Sequence, residues 1–321
     1  MDIDKVQGGD DGQSVHLLKR GLDADVDMER HQHQQQVIHP TNPVAPGTYC
    51  MELRTVQSTA FKLMIEALKE MLTDTTIDFD ETGMKIMATD TTRVVLVHVF
   101  LEADKFEYYH CPQKISIGVN MMNLHKFVRA VTNNDTLTLY IDSNDINHLG
   151  IKVENGDKNS KTHNKLMLLD LGDNPIFADP MQYNSVITLP SVDFQKICRD
   201  MANLSAFMEI KDVQNQLIFS CHGDFGSQET ILCDNDTNMY SIGQKKNAHE
   251  IVQGVFALKH LVQFTKCTNL CNTVELMLRN DFPLLIRYGV ASLGEIKLCL
   301  APVERDNAPT SSAPAPFGTH G

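Results

Sequence analysis

The 321-residue chain has no tryptophan, and aromatic residues make up only 7% of it. It lacks any apolar run near the roughly 20 residues that a membrane-spanning helix needs. Its start, "MDIDKVQGGDDGQSV", carries acids where a secretory signal carries basic residues, and no apolar stretch follows. The eight cysteines stand singly in apolar surroundings, as Cys198, Cys221 and Cys299 do. That spacing fits buried thiols in a reducing compartment rather than a disulfide framework. A soluble, intracellular protein is expected. Also missing are a glycine-rich phosphate loop, a nucleophile elbow and paired catalytic carboxylates in a recognisable motif. Cys267-x-x-x-Cys271 and Cys221-His222 are fragments of a metal or nucleophile site without a second half at zinc spacing. His31, His33 and His39 have no accompanying cysteine or carboxylate set and read as part of a solvated tail. The expectation is a non-enzyme without cofactor or metal.

Positive charge is scarce too, with 28 lysines and arginines against 41 acids, a net charge of −13 and a pI near 5.4. This excludes a protein that coats nucleic acid with its whole surface, but leaves room for one basic face.

Along the chain, residues 1–48 are polar and acid-rich with "HQHQQQ" and "HPTNPVAPG", and residues 304–321 form a Pro/Ala/Ser tail. Both are expected to be disordered. Between them helical and strand periodicities alternate. "TAFKLMIEALKEML" precedes a hairpin turning at Glu81-Thr82-Gly83, then strands "RVVLVHVFL" and "KISIGVN". "MMNLHKFVRAVTN" is helical and leads to "TLTLYID", "LGIKVE", a polar loop "NGDKNSKTHN" and "KLMLLDL". The same order recurs from "SVITLP" through helices "SVDFQKICRDMANL" and "ALKHLVQFTKC" to "TVELMLR", "FPLLIRYGV" and "GEIKLCLAP". Two halves of the same pattern, 49–168 and 185–303, joined by a connector at 169–184, point to an internal duplication in an α+β fold.

The four expected helices share one feature. Each carries two basic residues away from its apolar stripe: Lys62 and Lys69, Lys126 and Arg129, Lys196 and Arg199, Lys259 and Lys266. On one helix this is an ordinary solvated face, and Glu66 sits at ion-pair spacing between the first two. On four helices of so acidic a chain it describes a positive track that would hold phosphates without reading bases.

Seven collinear blocks, among them "DFDETGMKIMATDTTRVVLVHVFL", "IGVNMMNLHKFVRAV", "LPSVDFQKICRDM" and "FALKHLVQFTKCT", resemble the eukaryotic sliding clamp family, proliferating cell nuclear antigen. The resemblance implies the DNA-clamp fold, with two topologically similar domains per chain and a closed homotrimeric ring. Helices would line a hole for double-stranded DNA, so the eight basic residues would become DNA-binding residues. Polymerase, clamp loader, flap endonuclease, DNA ligase and other proteins with a clamp-binding peptide would be the partners, with no membrane involved. The nucleus, or a viral replication compartment, is the expected location. The alternative is a clamp-like subunit of a heteromeric checkpoint-type ring.

Carried over from the family, the partner-peptide pocket comprises Thr89, Arg93, Val94 and Leu96, then Ile176, Ala178 and Tyr183 of the connector, and Pro283, Leu300, Ala301 and Pro302. The subunit interface comprises Lys165 and Met167 on one side, and Ser227, Glu229 and Thr230 on the other. The chain departs from the family in its first 48 residues, in the connector "GDNPIFADPMQ", in the loop "ENGDKNSKTHN" and at three positions. Arg93 and Thr89 stand where relatives have histidine and methionine, and Gln214 stands where many carry the lysine modified by ubiquitin.

Overall fold

The computed structural model describes residues 49–172, 182–214, 216–233, 241–242 and 250–303. The expectations for both tails, and for Ile176 and Ala178 of the connector, fall outside those residues.

The first half runs β1 (Tyr49–Thr55), α1 (Ser58–Leu68), β2 (Asp74–Asp80), β3 (Gly83–Thr89), β4 (Val95–Glu102), β5 (Tyr108–His110), β6 (Ile115–Asn120), α2 (Met121–Val128), β7 (Asp135–Asp142), β8 (Asp145–Asn155) and β9 (Ser160–Met167). The second runs β10 (Ser185–Pro190), α3 (Ser191–Ala202), β11 (Phe207–Val213), β12 (Gln216–His222), β13 (Ser227–Cys233), β14 (Ser241–Ile242), β15 (Val252–Ala257), α4 (Leu258–Phe264), a 3-10 turn (Thr265–Leu270), β16 (Thr273–Leu278), β17 (Leu284–Val290) and β18 (Gly294–Leu300).

The pairing shows the duplication strand by strand. The first half contributes the orders β5-β1-β7-β8-β9 and β4-β3-β2-β6. The second contributes β14-β10-β16-β17-β18 and β13-β12-β11-β15, which are the same two orders. Within the chain β18 pairs antiparallel with β4, fusing two of the four sets into one nine-stranded sheet across the domain boundary. In the remaining two sets β9 and β13, the counterparts of β18 and β4, stand at edges with no partner strand on their outer side among the described residues.

Each domain's first helix is tied down in the same way. The Ser58 hydroxyl, at the start of α1, donates to the carbonyls of Asp135 (2.8 Å) and Thr132 (3.0 Å). The Ser191 hydroxyl, at the start of α3, donates to the carbonyls of Cys271 (2.6 Å) and Thr268 (3.4 Å). A buried serine thus locks each first helix to the exit of the second helix in its domain. α1 buries Phe61, Met64, Ile65 and Leu68 along one stripe, and α3 buries Phe194, Ile197, Cys198 and Met201. Asn120 caps α2, accepting from the Asn123 N–H at 3.0 Å. The β2–β3 turn falls where the sequence placed it, because a Cβ on Gly83 would lie 2.0 Å from the Leu101 carbonyl oxygen.

Three expectations are corrected. The polar segment at 155–164 is not a loop: only 156–159 turn, and β9 begins at Ser160. Its residues 160–163 are all exposed, so an edge strand carried no apolar signal there. The second helix stops at Val128 and the fourth at Phe264, each sooner than its apolar pattern suggested. Strands β1, β5, β14 and β15 were not foreseen.

Candidate nucleic-acid interface and partner site

The four helices form one connected layer. α1 packs on α2 and on the 3-10 turn, and α3 packs on α4 and on that same turn. Lys126, Arg129, Lys196, Arg199, Lys259 and Lys266 are exposed on this layer. The first helix differs: Lys62 and Lys69 are only half-exposed. The Lys62 ammonium donates to the Val131 carbonyl at 2.6 Å, and Lys69 pairs with Glu70 rather than with Glu66. Six cations are therefore presented and two are held by the chain itself. Exposed acids Glu66 and Asp200 lie on the same helices, so the layer is predominantly rather than purely positive.

Two titratable groups report the local field. The Glu70 carboxyl is held below its ordinary value by its Lys69 bond, with Lys266 and His125 adding to the effect. His125 is pushed down by partial burial and then by the charges of Lys69 and Arg129, against Glu66. Side chains from α1, α2 and the 3-10 turn thus act on one another across the layer.

The opposite side of the chain carries a small apolar patch. Leu96, Leu285, Cys299 and Ala301 form a buried cluster separate from the main core, with Met87, Val94, Tyr183 and Met277 packed against it. The cross-strand register explains it: Thr89, Leu96, Cys299, Leu285 and Met277 stand opposite one another in turn across β3, β4, β18, β17 and β16. Two residues along, the next row reads Met87, His98, Lys297, Arg287 and Glu275 and is mostly charged. Arg287 forks onto Glu275 at 2.6 and 2.9 Å, and Lys297 pairs with Glu295 at 2.8 Å. His98 in this row is kept neutral, its pKa pushed down to about 4 by burial and by Lys297.

Leu300 does not belong to the patch. It is fully buried in the main core, on the other face of β18 from Cys299 and Ala301. Period-two alternation along "KLCLA" would have separated these residues, and it would have pointed to Cys299. Leu285, Met87 and Met277 were missed because they lie on neighbouring strands whose register the sequence does not print. Thr89 and Pro302 are half-buried, Pro283 is buried, and burial pushes the Tyr183 hydroxyl well up. Arg93 is exposed at the tip of the β3–β4 turn in the left-handed region, with φ of 57°. Asp90 holds that turn, accepting from the N–H groups of Val94 (3.0 Å) and Val95 (2.9 Å).

The expected interface residues lie on the β9 and β13 edges. Lys165 and Met167 are exposed on β9, with Met167 69% exposed. Lys165 bonds Asp145 at 2.6 Å, an acid shared with His148 at 2.7 Å. Ser227 and Glu229 are exposed on β13 and Thr230 is half-buried. The cysteine fragments have no nucleophile's environment: burial pushes the thiols of Cys221 and Cys267 up, and Cys267 is fully buried. Among the described residues no three His, Cys, Asp or Glu side chains gather as a metal site.

The family model of the proliferating cell nuclear antigen N-terminal domain matches residues 50–174, and that of its C-terminal domain matches residues 178–303. The "Probable DNA polymerase sliding clamp 1" of Paramecium bursaria Chlorella virus 1 is 31% identical over 255 residues, spanning 78% of this chain and 96% of the viral protein. The two matched models meet at the connector, one over each repeated set of strands and helices. The chain belongs to the proliferating cell nuclear antigen family and is a DNA sliding clamp.

Proposed function

We propose that three copies of the chain close into a ring around duplex DNA and hold polymerase and other replication proteins on it. The observation that carries this reading is the repeated strand order, in which β9 and β13 stand at edges where their counterparts β18 and β4 are paired. Inside the chain, β18 of one domain pairs with β4 of the other. β9 holds the place of β18 in the first domain, and β13 holds that of β4 in the second. A β9–β13 pair between chains repeats the internal joint, and head-to-tail contacts of this kind generate rings where the rotation between copies closes. The six exposed helix cations then face the hole, where sequence-blind phosphate contacts suit sliding because base-specific ones would pin the ring.

The apolar patch is the proposed partner site, taking peptides with a glutamine, an aliphatic residue and paired aromatics from polymerase, clamp loader, flap endonuclease or ligase. Its apolar row, rimmed by the half-buried Met87, Val94, Tyr183 and Met277, is the surface on which apolar anchors would seat, and tethering raises the local concentration of the client. We assign the chain no catalytic step, and place it at the site of DNA replication, nuclear or viral. The test loads the protein onto circular duplex DNA and then linearises it. A ring of three chains by mass leaves through the ends. Equal retention on both forms would mean that affinity, not topology, holds it.

A further inference from the structure

Phe225, at the tip of the β12–β13 turn, is 78% exposed, and Met167, at the end of β9, is 69% exposed. They are the two most exposed large apolar side chains among the described residues. The internal duplication says what covers them. In the β3–β4 turn the Asp90 N–H donates to the Val95 carbonyl, and in the β12–β13 turn the Gly223 N–H donates to that of Gly226. This matches Val95 to Gly226, and hence Val94 to Phe225. After β18 the Val303 N–H donates to Val255, and after β9 the Leu169 N–H donates to Gly118. Val255 and Gly118 stand at the same distance before α4 and α2, so Val303 matches Leu169, and Ala301 matches Met167. Within the chain, the Ala301 N–H donates to the Val94 carbonyl at 3.1 Å, and both side chains join the outer apolar patch.

We propose, building on the ring reading above, that Phe225 of one copy packs on Met167 of the next and sets the register of the seam. By the same correspondence the seam opposes Lys165 to Ser227, His163 to Glu229 and Thr162 to Thr230. An independent feature of each edge agrees. The Leu168 N–H donates to Asn147 within the β8–β9 ladder, so by alternation the N–H groups of Lys161, His163, Lys165 and Met167 face outward. The Gly223–Gly226 bond likewise leaves those of Ser227, Glu229 and Ile231 facing outward. The register derived from the repeat sets outward groups opposite outward groups at Lys165–Ser227 and His163–Glu229, and makes Thr162–Thr230 a pair whose N–H groups both stay in their own ladders. A shift by one residue would point N–H groups of one edge at an empty ladder and turn its side chains over. The contact is an aromatic ring on a flexible thioether, a pairing that adapts to an imperfect fit.

The experiment has two arms, in the full chain with the exposed Cys233 changed to serine. Thr162→Cys with Thr230→Cys should oxidise to covalently linked chains, whereas Thr162→Cys with Gln228→Cys, two residues out of register, should not. Separately, Phe225→Ser should raise the concentration at which trimers dissociate by about tenfold or more, the scale of one lost interface anchor. Phe225 lies outside the core, so the variant's thermal unfolding as a monomer should match the parent. Linking by the shifted pair, or unchanged assembly of Phe225→Ser, overturns the register while leaving the ring standing. A parent that is monomeric throughout, with neither pair linking, overturns the ring itself.

Discussion

Changing Leu300 should destabilise the clamp without touching the proposed partner site, although it adjoins two patch residues in sequence. Leu300 is fully buried in the main core, on the inner face of β18. Replacing it by alanine removes buried carbons and leaves a cavity, a loss of roughly 3–5 kcal/mol. At about 2–4 °C per kcal/mol, the midpoint should fall by roughly 6–20 °C at fixed protein concentration. Met277 is the contrasting position: it is half-buried at the rim of the outer patch, packed against Leu285 and its neighbours. Met277→Glu should cost little stability but remove an apolar contact of order 1.5 kcal/mol and add a charge, weakening a clamp-binding peptide about tenfold or more. Calorimetry with one such peptide, run well below both melting points, separates the two effects. Leu300→Ala should bind as the parent does while Met277→Glu should not. Loss of binding by folded Leu300→Ala, or parental affinity for Met277→Glu, would refute the assignment of the patch.

At the seam, Met167→Pro and Glu229→Pro each remove an outward N–H and should give monomers by light scattering. Thr230→Pro should instead damage the internal β12–β13 ladder and lower the melting temperature, because the Thr230 N–H faces Phe219. Reversing Lys126, Arg129, Lys196 and Lys266 to glutamate should preserve the particle mass but shorten retention on circular DNA. Reversing Lys69 alone should matter less, since Glu70 already holds it. Asp90 gives an acid-side prediction. Partial burial raises its carboxyl, but the bonds from Thr92, Val95 and Val94 outweigh this and hold it below its ordinary 3.8. Its contribution is thus present above the unfolded value and lost as pH falls through the lower folded one. Asp90→Asn should therefore flatten the decline in melting temperature below about pH 4.

The sequence revealed most where periodicity and burial agree. The stripes of α1 and α3, the β2–β3 turn and the basic residues on four helices follow from spacing alone. It was silent where a segment's chemistry depends on what lies beside it. β9 reads as a polar loop because its first residues face solvent in the single chain. Lys62 and Lys69 read as free cations because their acceptors, a carbonyl 69 residues away and an adjacent glutamate, compete unpredictably with Glu66. The apolar patch is a cross-strand row, so five strands had to be placed before Leu285 and Met277 could be recognised as part of it. Leu300 is the instructive position: sequence adjacency suggested one site, while strand alternation puts Leu300 on one face of β18 and Cys299 and Ala301 on the other.

The pairing of β18 with β4 has a mechanical consequence. Seven residue pairs span the domain boundary within a continuous nine-stranded sheet, with the main core running beneath it. A bend there would have to break backbone bonds and open the core together, so the two domains of one chain resist bending as a unit. In the proposed ring, a loop of DNA without ends could enter only at a junction between chains. Compliance would then be concentrated at the β9 and β13 edges, which would behave as latches. A machine that opened such a ring would gain most by prying one latch and have little to gain by flexing a chain.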